Sequence, residues 1–198
     1  MTRFVCYNIV FLFLLSGMMT SCGKEDPINP DTPKEDTTFS FKCSIEDIPW
    51  DGSKKALANP QIKLLFPKVD SLPQAFFSGD TLLIGVGGKY NNYDATLLMA
   101  IRVANKADLK GTYNFAHKIG SLEVGKGIGV FDGSSTDLLT YATGLDLLEY
   151  VDDSKVIITE HKNGRISGTF QFRMEHIISK QGFNAVKEGT FKNFKIKQ

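Results

Sequence analysis

The clearest pattern along the chain is a strict alternation of apolar and polar side chains after Asn163-Gly164. The apolar parity holds Ile166, Gly168, Phe170, Phe172 and Met174. A period of two is typical of a β-strand with one buried face and one solvated face. Asn-Gly supplies two residues that tolerate the positive φ angles of a type I′ turn. The pattern therefore predicts a β-hairpin with arms at residues 155–161 and 165–177.

A second hairpin is predicted at residues 81–90 and 93–103, with Asn91-Asn92 as its turn. In its second arm Leu97, Met99 and Ile101 alternate with residues that are themselves mostly apolar. A strand that is apolar on both faces is buried on both faces. We therefore expect this arm to lie in the middle of a sheet.

The last segment, residues 189–197, alternates less regularly. Phe191 has one parity, whereas Phe194 and Ile196 have the other. A β-bulge at Lys192-Asn193 would bring all three apolar side chains onto one face. The lysines of this segment suit a strand with one solvated side, which we expect at an edge of the sheet.

The distribution of proline extends this β pattern to the whole C-terminal part. All seven prolines lie at or before Pro73, and a chain without proline suits paired strands. Helical evidence is thin: residues 137–151 are leucine-rich, but Gly144 interrupts them and their threonines favour a strand followed by a turn. The sequence predicts an all-β fold over residues 39–198, an antiparallel sandwich or partly open barrel of about ten strands. Strand spacing favours the sandwich.

Residues 1–21 have a different character. Arg3 is the only charged residue, an unbroken apolar run covers residues 9–15, and small or polar residues follow. A membrane-spanning helix needs about 20 apolar residues, so this run is too short for one. The pattern predicts a secretory signal peptide over residues 1–21.

Cys22 lies where cleavage is expected, and residues 15–22 resemble the signal of bacterial lipoproteins. The resemblance implies that Cys22 becomes the first residue of the mature protein and carries acyl chains such as palmitate. Several chains would anchor the protein stably in a membrane. Lys24-Glu25-Asp26 resembles the surface-export signal of Bacteroidota lipoproteins, which implies an outer-membrane location, with the exposed face left open. The alternative is an ordinary secreted protein with a Cys22–Cys43 disulfide.

Residues 22–38 are predicted to be a disordered acidic tether. They hold three prolines, five acidic residues and two basic residues, with one large apolar residue, Ile28. Such a segment buries too little surface to offset its ordering entropy. The whole chain has 198 residues, with 23 Lys and Arg against 22 Asp and Glu. This balance shows no basic footprint for nucleic acid, and the net charges of the tether (−3) and of residues 39–198 (+3) do not indicate a polyanion partner.

The residues that carry chemistry do not form a recognisable catalytic or metal-binding motif. His117, His161 and His176 are scattered, whereas metal sites normally need clustered ligands. Cys43 is interpreted as a small apolar strand residue. The glycines of residues 125–129 lack the strand–turn–helix frame of a dinucleotide site, so they are interpreted as points where a neighbour packs closely. We predict a protein that is not an enzyme and needs no metal or other cofactor.

Aromatic residues provide the one functional hint. Tyr90 and Tyr93 flank the Asn91-Asn92 turn, and Asp94 follows. Rings beside amides and an acid at a loop tip can stack on a sugar and hydrogen-bond to it. The alternative is a cross-strand tyrosine pair that only stabilises the hairpin, by about 0.2–1 kcal/mol.

Four segments, residues 41–50, 109–115, 165–172 and 188–196, together resemble small Bacteroidota outer-membrane lipoproteins built on an all-β domain of unknown function. The resemblance implies a β domain at the cell envelope and carries over no catalytic residue. We expect a non-enzymatic envelope lipoprotein that binds a glycan, peptide or protein, with its oligomeric state left open. The alternatives are a β-barrel carrier of a small apolar ligand and a hydrolase whose site assembles only in space.

Overall fold

The computed structural model describes residues 36–57, 71–115, 122–132, 140–142, 153–176 and 183–197. Within these residues every regular element is a strand, which confirms the all-β prediction. The strands are β1 (Ser40–Ile45), β2 (Ile48–Asp51), β3 (Ala56–Leu57), β4 (Ser71–Leu72), β5 (Gln74–Ser78), β6 (Thr81–Tyr90), β7 (Tyr93–Arg102), β8 (Gly111–Phe115), β9 (Lys126–Asp132), β10 (Thr140–Ala142), β11 (Lys155–Lys162), β12 (Arg165–His176) and β13 (Phe183–Lys197).

Eleven of these strands form one sheet in the order β10-β12-β11-β8-β9-β7-β6-β5-β13-β1-β2, and β3 and β4 form a separate pair. Additional pairings of β12 with β13 and of β9 with β10 give the sheet a ring-like arrangement. Two pairs, β8–β9 and β5–β13, are parallel, so the sheet is mixed where the sequence predicted a purely antiparallel one. Parallel neighbours need a long return connection, and ten residues separate β8 from β9.

Both predicted hairpins are present. Asn163 and Gly164 have φ angles of 52° and 66°, and Asn91 and Asn92 have 47° and 69°, as a type I′ turn requires. The turn at Asn91-Asn92 places Tyr90 directly opposite Tyr93. β7 lies between β6 and β9 and is buried on both faces, which confirms its central position.

β13 contains the predicted bulge but is not an edge strand. Ile166 pairs with Phe194 and Gly168 with Phe191, so two steps along β12 match three along β13, and Asn193 takes a φ of 54°. The bulge buries Phe191, Phe194 and Ile196 together. The edge prediction was wrong, because β13 pairs with β1, β12 and β5. Its lysines are solvated on the outer face, while both of its edges are hydrogen-bonded.

Aromatic rings fill the interior. Phe41 packs against Phe170 at a centroid distance of 4.8 Å, and Phe115 packs against Phe172 at 5.0 Å. Burial of each such side chain contributes about 1.5–3 kcal/mol. The packing is close over β9: a Cβ added at residue 127 would lie 2.8 Å from the Phe115 ring, and one added at residue 129 would lie 2.7 Å from the Phe172 ring. This confirms the interpretation of Gly127 and Gly129 as points of close packing. The interpretation was wrong for Gly125, which has open space around it and a φ of 81°.

Candidate functional site

Several predicted features lie outside the described residues: the signal peptide at residues 1–21, Cys22, and the tether as far as residue 35. His117 and most of residues 137–151 also lie outside them. Within the described part of the chain, no helix is long and apolar enough to cross a membrane.

The structure brings Tyr90, Tyr93 and Asp94 together at one hairpin tip, here defined as residues 90–94. The two tyrosines are cross-strand partners, but their environments differ. Tyr90 is half-buried and packs edge-on against Phe131, with ring centroids 5.4 Å apart. Tyr93 is 53% exposed. One tyrosine therefore anchors the tip, and the other presents its ring to solvent.

Asp94 takes part in an ion pair across the hairpin. Its carboxylate lies 2.8 Å from the Nζ of Lys89, its partner in the β6–β7 register. Both side chains remain largely exposed. Tyr93 and Asp94 are successive residues of β7, so their side chains leave opposite faces of the hairpin. The tip therefore presents the Tyr93 ring on one face and the ion pair on the other.

The tip rests on an aromatic base that continues into the core. Phe131 also packs edge-on against Trp50, with ring centroids 6.4 Å apart. A Cβ added at residue 88 would lie 3.0 Å from the indole and 2.8 Å from the carbonyl oxygen of Asp51. The indole Nε1 of Trp50 is buried there without a hydrogen-bond partner, which costs about 1–3 kcal/mol. The aromatic base below the tip is therefore tightly packed.

The structure also contains a groove that was not predicted from the sequence. A groove of about 250 Å³ lies on the outer face where β11, β12 and β13 meet; it is called the polar groove below. Its lining is Lys155, Ile157, Thr169, Phe170, Gln171, Glu188, Gly189 and Thr190. It lies beside an irregularity in the β12–β13 register after Phe170, where Glu188 has a φ of 52°. The only local sequence signal for this irregularity is the Glu188-Gly189 pair.

Cys43 is not placed for catalysis. It is buried on β1, and burial raises the pKa of its thiol to about 12. A nucleophilic cysteine needs the opposite shift, because the thiolate is the reactive form. His161 accepts a long 3.4 Å hydrogen bond from the backbone N–H of Leu109, and His176 is the last residue of β12. Among the described residues, no group of three or more His, Cys, Asp or Glu side chains is placed to hold a metal ion.

The packing of the described interior bears on the alternative of a carrier of a small apolar ligand. Such a carrier needs an enclosed apolar cavity. At Gly127, Gly129 and Gly189 the described interior lacks room for one added methyl group, because phenylalanine rings occupy the space. The polar groove lies on the outside of the sheet and is lined by polar and apolar side chains together.

Comparisons of the chain with protein-family models, with curated proteins and with solved structures found no match.

Proposed function

We propose that this protein is a non-enzymatic binding module, anchored in the outer membrane through acyl chains on Cys22, and that its hairpin tip binds a glycan. The observation that supports the proposal is the exposure of Tyr93, a residue 53% exposed at the hairpin tip, directly opposite Tyr90, which packs on Phe131.

The physics of the tip suits recognition of a sugar ring. An aromatic face offers a large apolar contact that costs little side-chain entropy. Tyr90 fixes the tip through Phe131, so the entropy of ordering it is lost on folding and not on binding. The acidic tether would hold this tip at a distance from the membrane.

The test is a glycan array probed with the full chain in detergent, followed by titration of any glycan that binds. We expect Tyr93→Ala to weaken binding about tenfold, which corresponds to about 1.4 kcal/mol, and Tyr93→Phe to retain most of the affinity, because the stacking face remains. Ile48→Ala is the matched control, since Ile48 is another exposed apolar residue, 39% exposed, on a different strand. The proposal fails if no glycan binds, or if Tyr93→Ala binds as the parent does.

A further inference from the structure

Positive charge is concentrated on four neighbouring strands, although the net charge of the whole chain is close to zero. Strands β1, β11, β12 and β13 together carry nine Lys or Arg and three Glu, a net charge of +6. The rest of residues 39–198 carries eleven basic and fourteen acidic residues, a net charge of −3. The four strands are consecutive through the pairings β1–β13, β13–β12 and β12–β11. Their inward parity is apolar, so their described Lys and Arg side chains lie on the outer face, here called the basic face. Two of these bases are paired with acids next to the strands, Lys187 with Asp47 and Lys155 with Asp153.

Three bases stand in one row across this face. Lys162 on β11 is the register partner of Arg165 on β12, and Arg165 is the register partner of Lys195 on β13. Like charges directly opposite one another destabilise a sheet. Arg165 is held in place by a 3.0 Å hydrogen bond from its Nη1 to the carbonyl oxygen of Asn193. The row therefore offers three positive charges side by side to a bound anion, with Lys162 also engaged in an interaction within the protein.

The polar groove lies on the same four-strand face. Lys155 forms part of its wall, and Thr169 and Thr190 are cross-strand partners within it. Lys42 on β1 is the register partner of Thr190, so a further base borders the groove. The groove combines the hydroxyls of Thr169 and Thr190 with the apolar side chains of Ile157 and Phe170. Such a lining suits a sugar ring, which has both hydroxyl groups and an apolar face.

The composition of the face discriminates among polyanions. The large apolar residues exposed in the described part of the chain are Ile48, Tyr93 and Val124, and they lie outside the four strands. Insertion into a lipid surface requires exposed apolar side chains, and binding of single-stranded nucleic acid requires aromatic stacking platforms. The face offers bases, hydroxyls and amides instead, which favours an anionic glycan.

We propose that the basic face binds a linear anionic polysaccharide. Its sulfate or carboxylate groups contact the row of Lys162, Arg165 and Lys195, and its neutral hydroxyls occupy the polar groove. This site is separate from the hairpin tip and does not depend on the function proposed for the tip. Binding weakens as salt rises, because the contacts to the row lie at the surface and are screened.

The test is titration of the full chain in detergent with dextran sulfate, with uncharged dextran as the matched polymer. We expect dextran sulfate to bind at 0.15 M salt with a strong salt dependence and dextran to bind at least tenfold more weakly. The triple variant Lys162→Gln/Arg165→Gln/Lys195→Gln should lose at least tenfold in affinity. The control Lys54→Gln/Lys55→Gln/Lys106→Gln removes the same charge outside the four strands and should lose less than threefold.

Two further measurements separate binding at the basic face from unfolding and from binding at the hairpin tip. The row variant should keep the far-UV circular dichroism spectrum of the parent and a cooperative thermal unfolding transition above the temperature of the titration, so its loss of binding cannot be ascribed to unfolding. Tyr93→Ala should leave dextran sulfate binding unchanged, which separates this site from the tip. The proposal is overturned if dextran sulfate does not bind, if both triple variants lose affinity equally, or if vesicles with anionic lipid or single-stranded DNA bind as tightly as dextran sulfate.

Discussion

The close packing of Gly129 under the ring of Phe172 leads to a quantitative prediction. A Cβ at residue 129 would lie 2.7, 2.9 and 3.0 Å from three carbons of that ring. The ring has no free space behind it, since it is 2% exposed and packs against Phe115 at 5.0 Å and Phe170 at 6.1 Å. Gly129→Ala must therefore shift several rings together.

The magnitude follows from two opposing effects. Overpacking of a filled core costs about 1–3 kcal/mol. Replacement of glycine by alanine at an unstrained position stabilises a protein by about 0.4–1 kcal/mol, because it lowers the conformational entropy of the unfolded chain. We therefore expect Gly129→Ala to lower the free energy of unfolding by about 1–2 kcal/mol.

Equilibrium unfolding in urea, followed by far-UV circular dichroism, measures this loss. A double-mutant cycle then identifies its cause, because Phe172→Leu removes the atoms that the new methyl group would meet. We expect Gly129→Ala to cost at least 0.5 kcal/mol less in the Phe172→Leu background than in the parent, a coupling within the range of residues in contact. Ile45→Val, on a strand that pairs with neither β9 nor β12, should combine additively with Gly129→Ala. A neutral or stabilising Gly129→Ala, or strict additivity with Phe172→Leu, would refute the packing argument.

The remaining predictions concern a buried thiol and a bulge. Burial raises the pKa of Cys43 from its ordinary value of 9.0 to about 12, so its contribution to stability is complete below pH 9 and is lost as the pH rises toward 12. Between pH 8 and 11 the free energy of unfolding of the parent should fall by about 1–3 kcal/mol more than that of Cys43→Ala. Urea titration at each pH measures both values. A free energy of unfolding that falls equally with pH in the two proteins would contradict this. Deletion of Asn193 removes the bulge and turns Phe194 and Ile196 toward solvent. The deletion variant should therefore fail to give the circular dichroism spectrum of a β-sheet protein. The control variant Asn193→Gly should fold, because glycine tolerates the φ of 54° at this position. A folded deletion variant would show that the bulge does not set the register.

Local features of the fold could be predicted from the sequence because local chemistry determines them. Asn163-Gly164 and Asn91-Asn92 adopt the positive φ angles that their side chains tolerate, and they fix two hairpins. The parity of Phe191, Phe194 and Ile196 indicated a bulge, since only an extra residue brings them to one face. In each case the deciding residues lie within about ten positions of one another.

Features that depend on distant strand partners could not be predicted. The parallel pairing of Ile196 with Ala75 joins residues far apart in the sequence, and it places β13 in the sheet interior where its lysines suggested an edge. The row of Lys162, Arg165 and Lys195 requires the β12–β13 register, so a count of charges along the chain showed only near-neutrality. The hairpin tip was found from the turn residues, whereas the burial of Tyr90 and the exposure of Tyr93 depend on the position of Phe131.

The central claim is that this β domain is an envelope binding module held by acyl chains on Cys22, and its most direct test is the intact mass of the protein purified from the membrane fraction of the cells that make it. We predict a single species whose polypeptide begins at Cys22 and whose excess mass matches a diacylglyceryl group with or without a further acyl chain. Cys22→Ala should abolish that excess mass and release the protein from the membrane fraction. An unmodified Cys22, or a mature chain that begins at any other residue, would contradict the account.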